Sequence, residues 1–182
     1  ISVVKDPIVC KRSMAYVPDT PRLEEYMTGM QYLNFVCDIY QVPSKERQQN
    51  IERLIHAFQM EPHISGLISS YSHGMKQKVA LIAAFSHNPK FLVLDEPFVG
   101  LDPEAFIALK DQMKMLCRKR SSVLFSSHIL DVVEKLCNKI SIIKDGRLLY
   151  SGTTEELIGV EGLEEAFMEL NSNERFDPSI EK

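Results

Sequence analysis

The segment Phe91–Pro97 (FLVLDEP) constrains this chain more than any other. Four apolar residues in unbroken succession, Phe91 to Leu94, are the pattern of a strand buried on both faces of a parallel sheet. Asp95 and Glu96 then fall at the carboxyl end of that strand, the edge where open α/β sheets place their ligands. Burying ionised carboxylates without partners costs several kcal/mol, so the pair implies a cation, a hydrogen-bond network or a catalytic task. A strand that simply ends in an acidic turn is the alternative. In a hydrolytic site the two residues take distinct jobs: Asp95 holds Mg²⁺ through water, and Glu96 orients or deprotonates the attacking water.

Around this segment the hydrophobic period alternates. Ile1–Val4 and Met14–Val17 read as short strands, with Pro18 ending the second. From Asp19 to about Pro89 the period is helical. Thr28 can cap a helix with Tyr32, Phe35, Val36 and Ile39 on one face. A second helix, after Pro43-Ser44, carries Ile51, Leu54, Ile55 and Phe58 as an apolar stripe. A third runs from Ser72 to Asn88-Pro89, where the residue before proline leaves the helical region. Downstream, a helix after Pro103, a strand at Ser122–Ser126, and a helix at Ile129–Cys137 alternate. Lys139–Lys144 and Arg147–Tyr150 flank Asp145-Gly146, a hairpin signal. Helices at 153–159 and 162–170 precede a polar tail from Asn171.

Composition narrows the classes. A net charge of −4 from interspersed acids and bases argues against a nucleic-acid backbone as the main partner. No apolar run reaches the roughly 20 residues that span a bilayer, so a membrane role must pass through a partner. Cys10, Cys37, Cys117 and Cys137 are scattered without CxxC or histidine clustering, which predicts reduced thiols in a cytosolic protein. The chain opens on Ile1 without a signal-peptide pattern and is expected to begin inside a longer protein.

Tyr71–Gln77 (YSHGMKQ) places Ser72 at a helix N-cap and Gly74 where close backbone approach is possible. A helix N-terminus attracts anions, so this turn is a candidate phosphate site as well as an ordinary cap. Together with Phe91–Pro97, Gly100-Leu101-Asp102-Pro103 and Ser127-His128, in that order, the segment resembles the signature of ATP-binding-cassette (ABC) ATPases. Tyr16-Val17-Pro18-Asp19 and the strand pair around Asp145-Gly146 extend the likeness over essentially the whole chain. The Ser-x-Gly-Met-x-Gln form of the signature is similar to that of bacterial ABC-2-type exporter ATPases.

The resemblance implies an α/β fold: a RecA-like P-loop NTPase core, incomplete at the N-terminus, with an inserted helical subdomain. The core would comprise 1–18 and 89–152, the helical subdomain with the signature 19–88, and a C-terminal extension 153–182. It implies the cofactors ATP and Mg²⁺ and two partners, a second ATPase subunit packed head to tail and a transmembrane permease, with peripheral attachment to the inner face of the membrane. Ser72, Gly74 and Gln77 of one subunit would meet the nucleotide of the other. Asp95 and Asp19 would serve the metal, Glu96 and His128 the catalysis, and Asp19 and Asp102 also the nucleotide. The segment Thr20–Tyr40 would face the permease.

Two departures stand beside this likeness. No Gly is followed by Lys, so the Gly-x-x-x-x-Gly-Lys-Ser/Thr phosphate loop is not in this sequence. The expectation is an N-terminally truncated chain that binds ATP poorly and is inactive alone. Asp19 stands where the family usually has Gln, and an ionised carboxylate accepts hydrogen bonds but donates none. His73 and Met75 replace the commoner Gly and Gln of the signature. The competing readings are a soluble ABC ATPase working on ribosomes or DNA, which would carry tandem cassettes or a long coiled coil, and a non-hydrolysing interaction module.

Overall fold

A computed structural model describes residues 2–158 and 162–172, with side chains to Met168; Ile1, Gly159 and most of the tail from Asn171 lie outside the described residues. The chain forms two compact units, meeting at Ser126/Ser127. The stretch 89–152, read from sequence as one piece of core, is thus divided between them. Strand–helix alternation runs through that point without a break, so periodicity carries no mark of it.

The first unit is built on a three-stranded parallel sheet in the order β1 (Met14–Val17), β2 (Phe91–Leu94), β3 (Ser122–Phe125). The register pairs Val17 with Leu94 and Leu94 with Phe125, so all three strands end at one level. Helix α1 (Pro7–Arg12) precedes β1, and α2 (Gly29–Ile39), α3 (Ser44–Ala57) and α4 (His73–Ser86) fill the connection from β1 to β2. Helix α5 (Pro103–Arg118) leads from β2 to β3. Parallel strands require such crossovers, and helices supply them.

Helix α4 is the hub. It packs on α2, α3, α5 and β1, and every residue from Gln77 to Ser86 is buried. Small side chains at Ala80, Ala83 and Ala84 let neighbours approach it on several sides. The helical lobe forms as its pattern dictates. Thr28 and Gln31 make a reciprocal capping box at the start of α2, and Ile51, Leu54 and Ile55 of α3 and Phe58 at its C-cap are all buried.

Three expectations need correction. Val3 to Lys5 form a turn, closed by the Asp6 N–H on the Ser2 carbonyl, in place of a strand over 1–4. Pro7 then starts α1 at its first turn, where the missing N–H costs nothing. On α2 the buried residues are Gly29, Leu33 and Cys37, while Phe35 and Ile39 are exposed. Nor is β2 buried on both faces: Leu92 and Leu94 are, but Val93 is half-buried between exposed Tyr16 and Leu124 of the neighbouring strands.

The second unit holds α6 (Leu130–Leu136), an antiparallel pair β4 (Lys139–Lys144) and β5 (Arg147–Thr153), then α7 (Thr154–Ile158) and α8 (Leu163–Ser172). Asp145 and Gly146 both take positive φ at the hairpin turn, as Asp-Gly permits. Ile140, Ile142 and Leu163 form its core, with Leu130, Val133 and Phe167 packed around them.

Leu81 in the middle of α4 is fully buried. Leu81→Ala is expected to lower unfolding free energy by about 2–5 kcal/mol, through lost transfer energy and the cavity left behind. Urea denaturation of the protein measures it.

Candidate active site

Because β1, β2 and β3 end together, the residues just past them share the carboxyl edge of the sheet. Asp95 follows β2, and its N–H continues the ladder by donating to the Val17 carbonyl at 2.9 Å. On the other side the Ser126 N–H donates to the Leu94 carbonyl at 3.0 Å, extending β3 by one residue. The Ser126 hydroxyl then donates to Asp95 Oδ1 at 2.6 Å and accepts the Glu96 N–H at 2.9 Å. One hydroxyl therefore orients the first carboxylate and fixes the backbone of the second.

Glu96 has φ of +42°, the left-handed region that a residue with a Cβ enters at a cost of the order of 1–3 kcal/mol. The turn after it is pinned from below. Phe98 is buried, with its ring edge-on to Phe125 and tilted against Phe106 at centroid distances of 5.8 and 4.8 Å. The backbone then passes Gly100, at φ +76°, to Asp102, whose Oδ1 caps α5 by accepting the Ala105 N–H at 2.9 Å. Asp102 Oδ2 lies 2.5 Å from Lys78 Nζ. Hydrogen bonding to Lys78, then to the Ala105 N–H, holds the Asp102 carboxyl below the usual carboxylate range.

Ser72 caps α4, accepting the Met75 N–H at 3.3 Å, and is exposed at the helix N-terminus. Gly74 lies two residues on, where a Cβ would come within 2.6 Å of the Gly100 carbonyl oxygen. Signature turn and Asp102 loop are thus in backbone contact within one chain. Gln77 departs from its expected role: it is 1% exposed, inside the packed part of α4, and not beside Ser72 on the open turn. The spacing from Ser72 put it in a motif, but helical rotation points it inward. His128 belongs to the second unit, where the neighbouring Ser127 hydroxyl accepts the Ile129 N–H at 3.1 Å.

Asp19 is exposed just beyond β1 and, with Asp95, borders a groove of about 550 Å³ lined by Tyr32, Val36, Tyr40 and His87. Tyr40 and His87 stack at 3.6 Å with planes 10° apart. For Mg²⁺, Asp95 offers a hard oxygen whose orientation Ser126 already fixes. Among the described residues no group of three His, Cys, Asp or Glu could enclose a metal. Mg²⁺ is commonly held by one or two carboxylates together with substrate phosphates and water.

The profile of the ABC transporter family matches residues 5–99. The ABC-type transporter ATP-binding protein EcsA of Bacillus subtilis is 33% identical over 165 residues, covering 91% of this chain and 67% of EcsA. This chain belongs to the ABC transporter family. The ATP-binding protein NatA of the same organism is 33% identical over 135 residues, covering 74% of this chain and 55% of NatA. A solved structure described as the ATP-binding subunit of an ABC transporter superposes with a TM-score of 0.89 at 32% identity, over 94% of this chain and 73% of that one. This ABC chain spans about half the length of other curated relatives, 45% and 50% for two of them. With the parallel sheet and its crossover helices, these matches place the fold with the P-loop NTPase core expected from sequence. Among the described residues no helix is long and apolar enough to cross a membrane.

Four residues of this site went unread in the sequence: Ser126, Phe98, Lys78 and His87.

Burial lowers the pKa of His87 to about 4. The unfolded chain, titrating near 6.5, binds the proton more readily, so stability falls as pH drops from about 6.5 to about 4, by up to ~3 kcal/mol. Asp19, Arg22, Asp95, Tyr32 and Tyr40 border the same groove. His87→Phe is expected to flatten that part of the stability profile, measured by urea midpoints between pH 4 and 7.

Proposed function

We propose that this chain carries half of a shared ATP-hydrolysing site in the ATP-binding subunit of an ABC transporter. In this reading two copies pack head to tail. Asp95 and Glu96 of one copy face the nucleotide from the sheet edge, and Ser72 and Gly74 of the other approach its γ-phosphate from a helix N-terminus. The observation that carries the reading is the Ser126 bridge. It orients the Asp95 carboxylate at the sheet edge and fixes the backbone of Glu96 beside it, so that both carboxylates are presented at the edge where the nucleotide would lie.

The reaction is phosphoanhydride hydrolysis. The oxygen of water bonds to the γ-phosphorus as the bond to the β-bridging oxygen breaks, and the water's proton passes to the Glu96 carboxylate. Magnesium, when bound, neutralises charge on the phosphate oxygens, and Asp95 holds its water shell, with Asp19 as the second oxygen donor. Ser72 contributes its hydroxyl and the backbone N–H groups of the first turn of α4 to the phosphate. Asp102 lines the same interface, and His128 takes the role its motif gives it, a hydrogen-bonding partner of the γ-phosphate. Closure of the second copy excludes water and completes the set of donors.

The permease is placed against the segment Thr20–Tyr40. The open groove beside Tyr32, Val36 and Tyr40, flanked by exposed Phe35 and Ile39, supports that placement. The subunit would then sit peripherally on the inner membrane face.

In the whole protein, Glu96→Gln keeps size and removes the proton acceptor, so steady-state ATP turnover is expected to fall by ~100-fold or more. Hydrolysis at the wild-type rate would remove Glu96 from this role. Separately, Ile39→Glu is expected to abolish co-purification of the permease from detergent-solubilised membranes while leaving ATP turnover of the isolated subunit within about twofold, because a rim charge disrupts packing without touching the site.

A further inference from the structure

We propose that Lys78 is a positioning residue that locks the signature turn to the loop carrying Asp102, so that each subunit transmits the state of its own active-site loop to the nucleotide of its partner. The proposal rests on the shared-site reading above.

Lysines 76 and 78 sit in the first two turns of α4, two residues apart and therefore about 200° apart around the helix. They reach opposite ways. Lys76 Nζ meets Glu25 Oε1 at 2.5 Å, and Lys78 Nζ meets Asp102 Oδ2 at the same distance. The two pairs are unequal. Glu25 is 60% exposed, so its pair is screened by water and contributes little. The Lys78 side chain is 11% exposed and Asp102 45%, so water reaches the carboxylate but little of the ammonium, which is costly to leave without a partner.

Asp102 has both oxygens committed, Oδ1 to the N-terminus of α5 and Oδ2 to Lys78. It therefore ties two helices to one loop. The backbones there are also in direct contact. A Cβ on Gly74 would meet the Gly100 carbonyl oxygen at 2.6 Å, and one on Gly100 would meet the His73 ring at 3.0 Å. That loop begins at Glu96 and is pinned by Phe98. Ser72, Gly74, Gly100, Asp102 and Glu96 thus lie on one connected body, closed by an ion pair whose Lys78 end is buried.

In a head-to-tail dimer Glu96 and Ser72 of one subunit serve different nucleotides. A rigid link between them makes the occupancy of one site bear on the other. Lys78 touches no nucleotide in this scheme and acts through Asp102 and the turn it holds.

The test compares wild type, Lys78→Met, Lys78→Gln and Lys78→Arg in the whole protein, with thermal melting to confirm folding. ATP turnover is followed against ATP concentration. Lys78→Met is expected to lower kcat by about tenfold or more and to bring the Hill coefficient from above 1.5 to about 1, with ATP binding to the dilute monomer unchanged. Lys78→Arg is expected to restore both to near wild type, and Lys78→Gln to fall between. Wild-type kcat and cooperativity in the Met variant overturn the proposal, as does a wild type that is not cooperative, or an Arg variant no better than Met. If the Met variant does not fold, the Gln and Arg variants decide: equal, wild-type behaviour in both overturns it. Failure of the shared-site reading is a separate result, seen as a nucleotide enclosed by a single copy in the ATP- and Mg²⁺-bound Glu96→Gln protein, whatever the Lys78 series gives.

Discussion

The parallel register of β2 between β1 and β3 is the constraint on which the rest of the first unit depends. Leu94 is paired with Val17 on one side and Phe125 on the other, so the chain leaves the sheet at one level in all three places. Asp95 and Ser126 therefore emerge as neighbours and Asp19 two residues past β1 on the same edge. Backbone pairing fixes this alignment before any side chain is considered. A slip of one residue would turn Leu92 and Leu94 out of the core and separate Ser126 from Asp95.

Helix α4 links that edge to the proposed interface. Its buried length fixes the helix against sheet and lobe, while its first turn stays exposed with Ser72 and Gly74 at the tip. The same helix touches the Asp102 loop through Gly74, so the two halves of the proposed site are held at a set distance within each chain. Stability and function draw on the same packing here, and for that reason the small residues of α4 matter as much as its large ones.

Much of this was legible in the sequence where local physics decides. The apolar run Phe91–Leu94, the Thr28 cap, the α3 stripe and the Asp145-Gly146 turn each follow from the period or turn chemistry of a few adjacent residues. What depended on partners far along the chain was less legible. Val3 and Val4 look like strand residues, but Pro7 and a local turn took them elsewhere. Phe35 and Ile39 share a helical period with Val36, yet only tertiary packing could say that Leu33 and Cys37 face inward. Gln77 read as part of a surface motif although helical rotation buries it. Ser126 and Lys78 act on residues 31 and 24 positions away, and spacing along one sequence carries no signal for such pairs.

The proposed site is shared, with Ser72 from one copy and Asp95 from the other around one nucleotide. A structure of the whole protein carrying Glu96→Gln, with ATP and Mg²⁺ bound, tests it directly. The expected result is a head-to-tail dimer in which the Ser72 hydroxyl of one copy is within hydrogen-bonding reach of a γ-phosphate whose magnesium shell contacts Asp95 of the other. A nucleotide enclosed by a single copy, with every Ser72 remote from phosphate, would contradict it.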